Sequence, residues 1–257
     1  MPLLSIVTIV RNHKEGLLKT IHSVTAQHFT DYEYIVVDGA SEDGTLNVVN
    51  EHKSLFSVIL YGPDGGIYDA MNKGLAKASG EYIIFMNAGD IFAHEYSLKN
   101  VFEKVKDDPD VIYGDYTVNY GYMKKYVRGH RLKDIWKGML TSHQAHLVRT
   151  SAAADKGFNC ALRLGADFDM IYRLYKEKKN FLYIPCEIAV TEPGGLSDKK
   201  RLTVYRNHLD TISRYGISPL QFMYYIYAFI NAAVRLWLKK ILPDKMVRKI
   251  IRMKVDR

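Results

Sequence analysis

The chain has 257 residues, 47% apolar and 25% charged, with a net charge of +8. That composition supports a sizeable core and excludes a disordered or low-complexity chain. Two cysteines, Cys160 and Cys186, exclude a disulfide framework, and without a CxxC pair there is no structural zinc signature; a reducing compartment is the simplest expectation.

Met1-Pro2-Leu3-Leu4 has neither the basic start nor the small-residue cleavage site of a signal peptide, so a cytosolic protein is expected. Leu4–Val10 is an apolar, β-branched run and predicts a buried strand. Leu17, Leu18, Ile21 and Val24 follow at helical spacing. Residues 34–37 predict a second strand ending at Asp38-Gly39, and Leu46, Val48 and Val49 a short helix. Residues 57–60 predict a third strand, and Ile67, Ala70, Met71, Gly74, Leu75 and Ala78 one face of a helix. Residues 82–86 predict a fourth strand, ending in Asn87-Ala88-Gly89-Asp90. This alternation predicts an α/β fold, a mostly parallel sheet with helices on both faces.

After Pro109 the pattern changes. Residues 111–113 predict a strand, and the tyrosine-rich stretch 116–127 a hairpin or loop. Residues 167–177 predict a helix with Phe168, Ile171, Leu174 and Tyr175 on its apolar face. Residues 181–184 predict a late strand, and 192–200 a loop hinged at Gly194-Gly195. Residues 219–238 are apolar and aromatic, long enough to cross a bilayer, with Arg235 their single charge. Pro243 then opens an amphipathic segment with Val247, Ile250 and Ile251 on one face and Lys245, Arg248, Lys249 and Arg252 around the other. Residues 235–257 carry +7 of the total charge and leave 1–234 near neutral at +1. These features predict helices lying in an anionic membrane interface; a helical pair packed on the domain or on a second subunit is the alternative. The near-neutral body argues against nucleic acid as a partner.

Ligands of open α/β sheets bind beyond the carboxyl ends of the strands. Those ends read Arg11-Asn12, then Asp38-Gly39-Ala40-Ser41-Glu42-Asp43, then Pro63-Asp64-Gly65-Gly66, then Asn87-Ala88-Gly89-Asp90. GxGxxG and GxxxxGK[ST] are absent, which removes a dinucleotide fingerprint or P-loop. A carboxylate-rimmed crevice repels bare phosphate and suits a divalent cation that holds the phosphates. Singly, Asp38, Asp43 and Asp90 also read as turn and cap residues, and Asp69, Asn72 and Lys73 as solvated helix surface. Their common edge makes them a candidate site.

SIVTIVRN, YIVVDGASEDGT, GPDGGIYDAMNKGLAKASGEYIIFMNAGD and GADFDM, in this order and spacing across residues 3–200, resemble the inverting family 2 glycosyltransferases. Among these, the bacterial enzymes that build O-antigen, capsule or exopolysaccharide are the most similar. The resemblance implies a GT-A fold: a Rossmann-like nucleotide-sugar-binding half at 1–110, an acceptor half at 111–215 and a helical tail at 216–257. It implies a nucleotide-diphosphate sugar donor, a lipid-linked glycan acceptor at the inner membrane face, and Mg²⁺ or Mn²⁺. Thr8 and Asp38 would line the nucleoside pocket, with Asp38 accepting a hydrogen bond from the base and Asp64 nearby. Asn72 and Lys73 would face the donor. Asn87 to Asp90 stand where the family has its DxD-type motif; Gly89 replaces the first aspartate and leaves Asp90 as the metal ligand. Asp167 matches the base position, with Asp169 as a first-turn carboxylate favoured by the helix dipole. His143 and Gln144 resemble a His-Gln pair of this subgroup and would touch diphosphate or acceptor; a buried histidine satisfied by backbone is the other reading. His146 is expected to be structural. Gly194 to Ser197 would close over the donor, bringing Lys199, Lys200 and Arg201 near phosphates; a plain surface turn is the alternative. The competing functions are a nucleotidyltransferase on a similar sheet and a non-catalytic nucleotide-sugar or glycan-binding protein.

Overall fold

A computed structural model describes residues 1–241. The basic segment expected from Pro243 lies outside the described residues. Two compact units are present, Met1–Pro193 and a second beginning at Gly194.

In the first unit, β1 (Leu4–Val10) is buried along its whole length, as an unbroken apolar run requires. α1 (Lys14–Thr25) turns Leu17, Ile21 and Val24 inward. β2 (Tyr32–Asp38), α2 (Thr45–Glu51), β3 (Val58–Tyr61), α3 (Ile67–Leu75) and β4 (Tyr82–Phe85) follow, and their four strands are mutually parallel. Each of these elements lies where the apolar spacing predicts it. Then come β5 (Ile91–Phe92), α4 (Ser97–Phe102), β6 (Val111–Asn119), β7 (Lys124–Val127), β8 (His146–Arg149), α5 (Thr150–Ala154), α6 (Ala166–Lys176) and β9 (Phe181–Thr191). The strand order is β3-β2-β1-β4-β8-β6-β9-β5, with β7 paired to β6. One core cluster joins Ile6, Val36, Ile84, Ile112 and Leu147 of the sheet to Leu17, Val49 and Leu98 of the helices.

The second half of the sheet is mixed rather than parallel. β8 runs antiparallel to both β4 and β6, while β6 and β9 run parallel. β6 and β9 extend well past the expected 111–113 and 181–184. A register shift between Tyr113 and Asp115 breaks the alternation there, which is what a bulge does to the pattern. The tyrosine-rich stretch is a hairpin, closed at Gly121 with Tyr116 opposite Val127.

The second unit holds α7 (Leu196–Lys199), α8 (Arg201–Ser213) and α9 (Pro219–Ile241). Its first turn occupies part of the stretch expected as loop. The unit starts well before residue 215 because α8 packs on α9, with the rings of Tyr205 and Tyr225 6.5 Å apart and nearly perpendicular. Tyr225, Ala228 and Ala232, at helical spacing, are buried. Leu220, Met223, Tyr227, Ile230 and Trp237 are exposed. Among the described residues no helix is long and apolar enough to cross a membrane.

Candidate active site

β1 continues to β2 and β3 on one side, and β4 then adds on the other. The chain direction through the sheet thus reverses between β1 and β4, and the crevice beyond their carboxyl ends is the expected ligand position. Antiparallel pairing of β4 with β8 sets the carboxyl end of β4 beside the amino end of β8. Asn87–Asp90 and Ser142–Gln144 meet for that reason.

These two segments and the start of α6 form one connected network. Gln144 Nε2 donates to Asp90 Oδ2 (2.5 Å), and Ser142 Oγ donates to Gln144 Oε1. Asn87 Nδ2 lies 2.9 Å from His143 Nε2, and His143 Nδ1 lies 3.8 Å from Asp167 Oδ2. Tyr68 O–H donates to Asp167 Oδ1 (3.1 Å) while its oxygen accepts the Gly165 N–H (2.9 Å). Asn87, Asp90, His143, Gln144 and Asp167 are thereby brought together. Asp169 is 5% exposed, inside α6, whereas the Asp167 side chain keeps 22% of its surface open.

The second group lies at β2. Asp38 is fully buried; Oδ1 accepts the Ser41 N–H (2.8 Å), and Oδ2 has no hydrogen-bond partner among the described residues. A Cβ at Gly39 would come within 2.1 Å of Asp64 Oδ2, so only glycine admits the Asp64 carboxylate against this turn. Asp64 Oδ1 accepts the Gly66 N–H (2.9 Å).

The other expected residues serve as supports. Thr8 does not reach the open edge: it is fully buried, donating to the Met86 carbonyl (2.8 Å) beside Tyr34 O–H. A β-branched hydroxyl in the middle of a strand covered on both faces has to be satisfied inside the core. Asn72 clamps the loop before α6, donating to Phe158 O (2.9 Å) and accepting from Phe158 N (2.8 Å). Lys73 donates to Pro63 O (2.7 Å) and pairs with Asp69 at 3.1 Å. Asp43 accepts from Thr45 N and Thr45 Oγ1, the turn role that its sequence allowed.

Three residues shape the site without being candidate ligands. Tyr68 is one. Thr20 is another: its hydroxyl donates to Asp90 O (2.8 Å) and accepts the Gly89 N–H (3.0 Å), fixing the turn by its backbone. A threonine on the apolar face of a helix was the available signal. Gly89 is the third, at φ +102°, with the His13 ring 3.0 Å from any added Cβ. A side chain there meets both strain and a neighbour, so the missing first aspartate of the motif is a property of the backbone.

Burial raises the Asp90 carboxyl to about 7, and burial lowers His146 to about 4. His146 Nδ1 donates to Ser142 O, and its Nε2 is buried without a hydrogen-bond partner among the described residues; a second proton finds no acceptor there. The two shifts act on stability with opposite sign. Asp90 stabilises the fold fully at acid pH and loses this as pH rises from about 4 to about 7. His146 contributes fully above its ordinary 6.5 and loses this as pH falls toward 4. Asp90→Asn in chelator is therefore expected to show a melting temperature that falls more steeply than wild type on acidification from pH 7 to 4. An identical slope in thermal melts would remove the Asp90 assignment.

As a cation site, Asp90 is the single carboxylate of its turn, and the described residues contain no cluster of three or more metal-binding His, Cys, Asp or Glu. Its Oδ1 takes no hydrogen bond among the described residues. One buried carboxylate short of counter-charge fits an ion that draws most of its ligands from phosphates and water.

The sequence profile of glycosyl transferase family 2 matches residues 5–168. A PGL/p-HBAD biosynthesis glycosyltransferase of Mycobacterium bovis is 26% identical over 258 residues, 97% of this chain and 96% of the relative. The mannosyltransferase PcManGT of Pyrobaculum calidifontis, solved with GDP-Man and Mn²⁺, superposes with a TM-score of 0.66 at 16% identity, covering 98% of this chain and 79% of that one. S. aureus TarS 1–349, solved with UDP-GlcNAc, gives 0.64 at 17% identity over 89% of this chain and 72% of that one.

Proposed function

The chain belongs to glycosyl transferase family 2 and has the GT-A fold, and on that premise we propose that it moves a sugar from a nucleotide-diphosphate sugar to a lipid-linked glycan acceptor of the cell surface, with inversion at the anomeric carbon. The observation that carries this is the network Asp90–Gln144 and Asn87–His143–Asp167–Tyr68 at the switch point of the sheet. A candidate leaving-group site in the turn after β4 and a candidate base in the first turn of α6 meet there. The relative in glycolipid assembly supports a surface-glycan acceptor.

Asp38, with a buried carboxylate oxygen left over, accepts an N–H of the nucleobase, and Asp64 completes that end of the pocket. Asp167 takes the proton of the acceptor hydroxyl as that oxygen attacks the anomeric carbon from the face opposite the nucleotide. His143, between Asn87 and Asp167, orients that carboxylate. Mg²⁺ or Mn²⁺ held at Asp90 would neutralise charge on the departing diphosphate. The exposed apolar face of α9, beside the basic terminal sequence, would hold the enzyme to the inner face of an anionic membrane.

Tyr68 is a positioning residue in this scheme. Tyr68→Phe keeps the ring stacked on Phe158 and deletes the hydrogen bond to the Asp167 carboxylate together with the one accepted from Gly165 N–H. It is expected to lower kcat about tenfold, the equivalent of ~1.4 kcal/mol, with donor KM unchanged. An unchanged kcat, or a raised donor KM in place of a lowered kcat, would take Tyr68 out of the scheme.

The function itself is tested by presenting purified protein with UDP-, GDP- and dTDP-sugars, with and without manganese, and following donor hydrolysis and transfer. Turnover of one donor, stimulated by the metal, is expected. Donor binding without turnover in any combination would replace transfer by a binding role.

A further inference from the structure

The positive charge is not confined to the tail. Residues 119–137 hold six Lys or Arg against one acid, Asp134, a net +5, so the rest of 1–234 is net −4. The structure collects these cations on β7 and the segment after it. Lys124, Arg128, Arg131 and Lys133 are exposed, and Lys125 is half-buried. Lys137 pairs with Asp134 at 2.7 Å. The other five make no ion pair among the described residues.

Among the described residues β7 pairs with β6 alone and leaves an open strand edge. Lysines on such an edge prevent strand-to-strand aggregation, and that accounts for Lys124 and Lys125. It does not account for Arg128, Arg131 and Lys133, which lie beyond the strand. Nor does it account for Tyr122 and Tyr126 among them, exposed by 36% and 50%. The segment is also anchored. Buried Asp115 accepts from Tyr126 O–H, from Tyr183 O–H (2.7 Å) and from Gly129 N–H (2.8 Å). One carboxylate thus pins the base of the hairpin and leaves its cations and ring faces to solvent.

A soluble phosphate ligand calls for donors converging in a concave site. Here the charges follow an open strand edge and continue past its end, interleaved with amphipathic rings that suit a water–lipid boundary. We propose that β7 and residues 128–133 form a lipid-contact face that docks the first unit on an anionic membrane surface, separately from the tail. The cations meet headgroup phosphates, and Tyr122 and Tyr126 sit at the interface.

The test uses the full chain and vesicles of phosphatidylcholine with or without phosphatidylglycerol. Lys124→Gln/Lys125→Gln/Arg128→Gln is one variant and Arg131→Gln/Lys133→Gln, outside the strand, is the second. Each lost charge is expected to weaken binding to the anionic vesicles about fivefold, so roughly a hundredfold for the triple and 25-fold for the double. High salt should erase the difference. Binding to phosphatidylcholine alone, the melting temperature and donor turnover should stay unchanged. Should the triple variant fail to fold, the double decides. Unchanged affinity for anionic vesicles in a folded variant would overturn the proposal. So would impaired use of an anionic acceptor with vesicle binding intact, which would assign the charges to the acceptor. Vesicle binding and sugar transfer are read separately, so failure of either reading leaves the other standing.

Discussion

Asp167→Asn is expected to lower turnover by at least ~10²-fold, the low end for loss of a general base, while donor affinity stays unchanged. The asparagine keeps the size of the side chain and an oxygen to accept the Tyr68 hydrogen bond, but it has no basic oxygen to take the acceptor proton. Donor contacts are expected to be spared because, among the described residues, Asp167 is held by Tyr68, His143 and the start of its own helix. Asp169→Asn should cost much less, since a side chain 5% exposed inside α6 has no approach to a bound acceptor. Steady-state kcat and calorimetric donor binding measure the two effects. The reverse ranking would move the base to Asp169.

Asp90→Ala is expected to abolish transfer and to weaken donor binding, with the protein still folded. No second carboxylate of the turn can substitute, because position 89 is a glycine at φ +102°. The fold survives because Thr20 holds this turn through the carbonyl of Asp90 and the amide of Gly89, both of which alanine retains. The manganese-dependent part of donor affinity should vanish in a binding titration. Full activity with metal present would remove Asp90 from the site.

The first half of the sheet was readable because each of its elements is local. Leu4–Val10 has to be covered on both faces, and α1 has one apolar stripe at the period of a helix. The later half was less readable for physical reasons. β8 has only four residues, too few for a period to show, and its partners are distant in the chain. The bulge at Tyr113/Asp115 hid the length of β6. Within the site, motif order located Asn87, Asp90, His143, Gln144 and Asp167, which the structure joins. The same reasoning gave Thr8, Asn72 and Lys73 a ligand-facing place, whereas their polar atoms are taken up by Met86, Phe158 and Pro63. Sequence order carries proximity to an edge but not the direction of a side chain. Tyr68 was missed because it lies 99 residues from the aspartate it holds.

The position of β8 also bears on how the site is made ready. It is laced between β4 and β6, so the proposed leaving-group residues after β4 and the proposed acceptor-side residues before β8 adjoin neighbouring strands of one ladder. Separating them would break the centre of the sheet, among the last regions of a domain to open. The dipoles of Gln144, His143 and Asn87 are therefore set when the chain folds, not when the donor arrives. In the proposed transfer, little reorganisation energy would be left to be met at the moment of bond exchange, and this is the condition under which fixed polar groups outperform water as a solvent for a charged transition state.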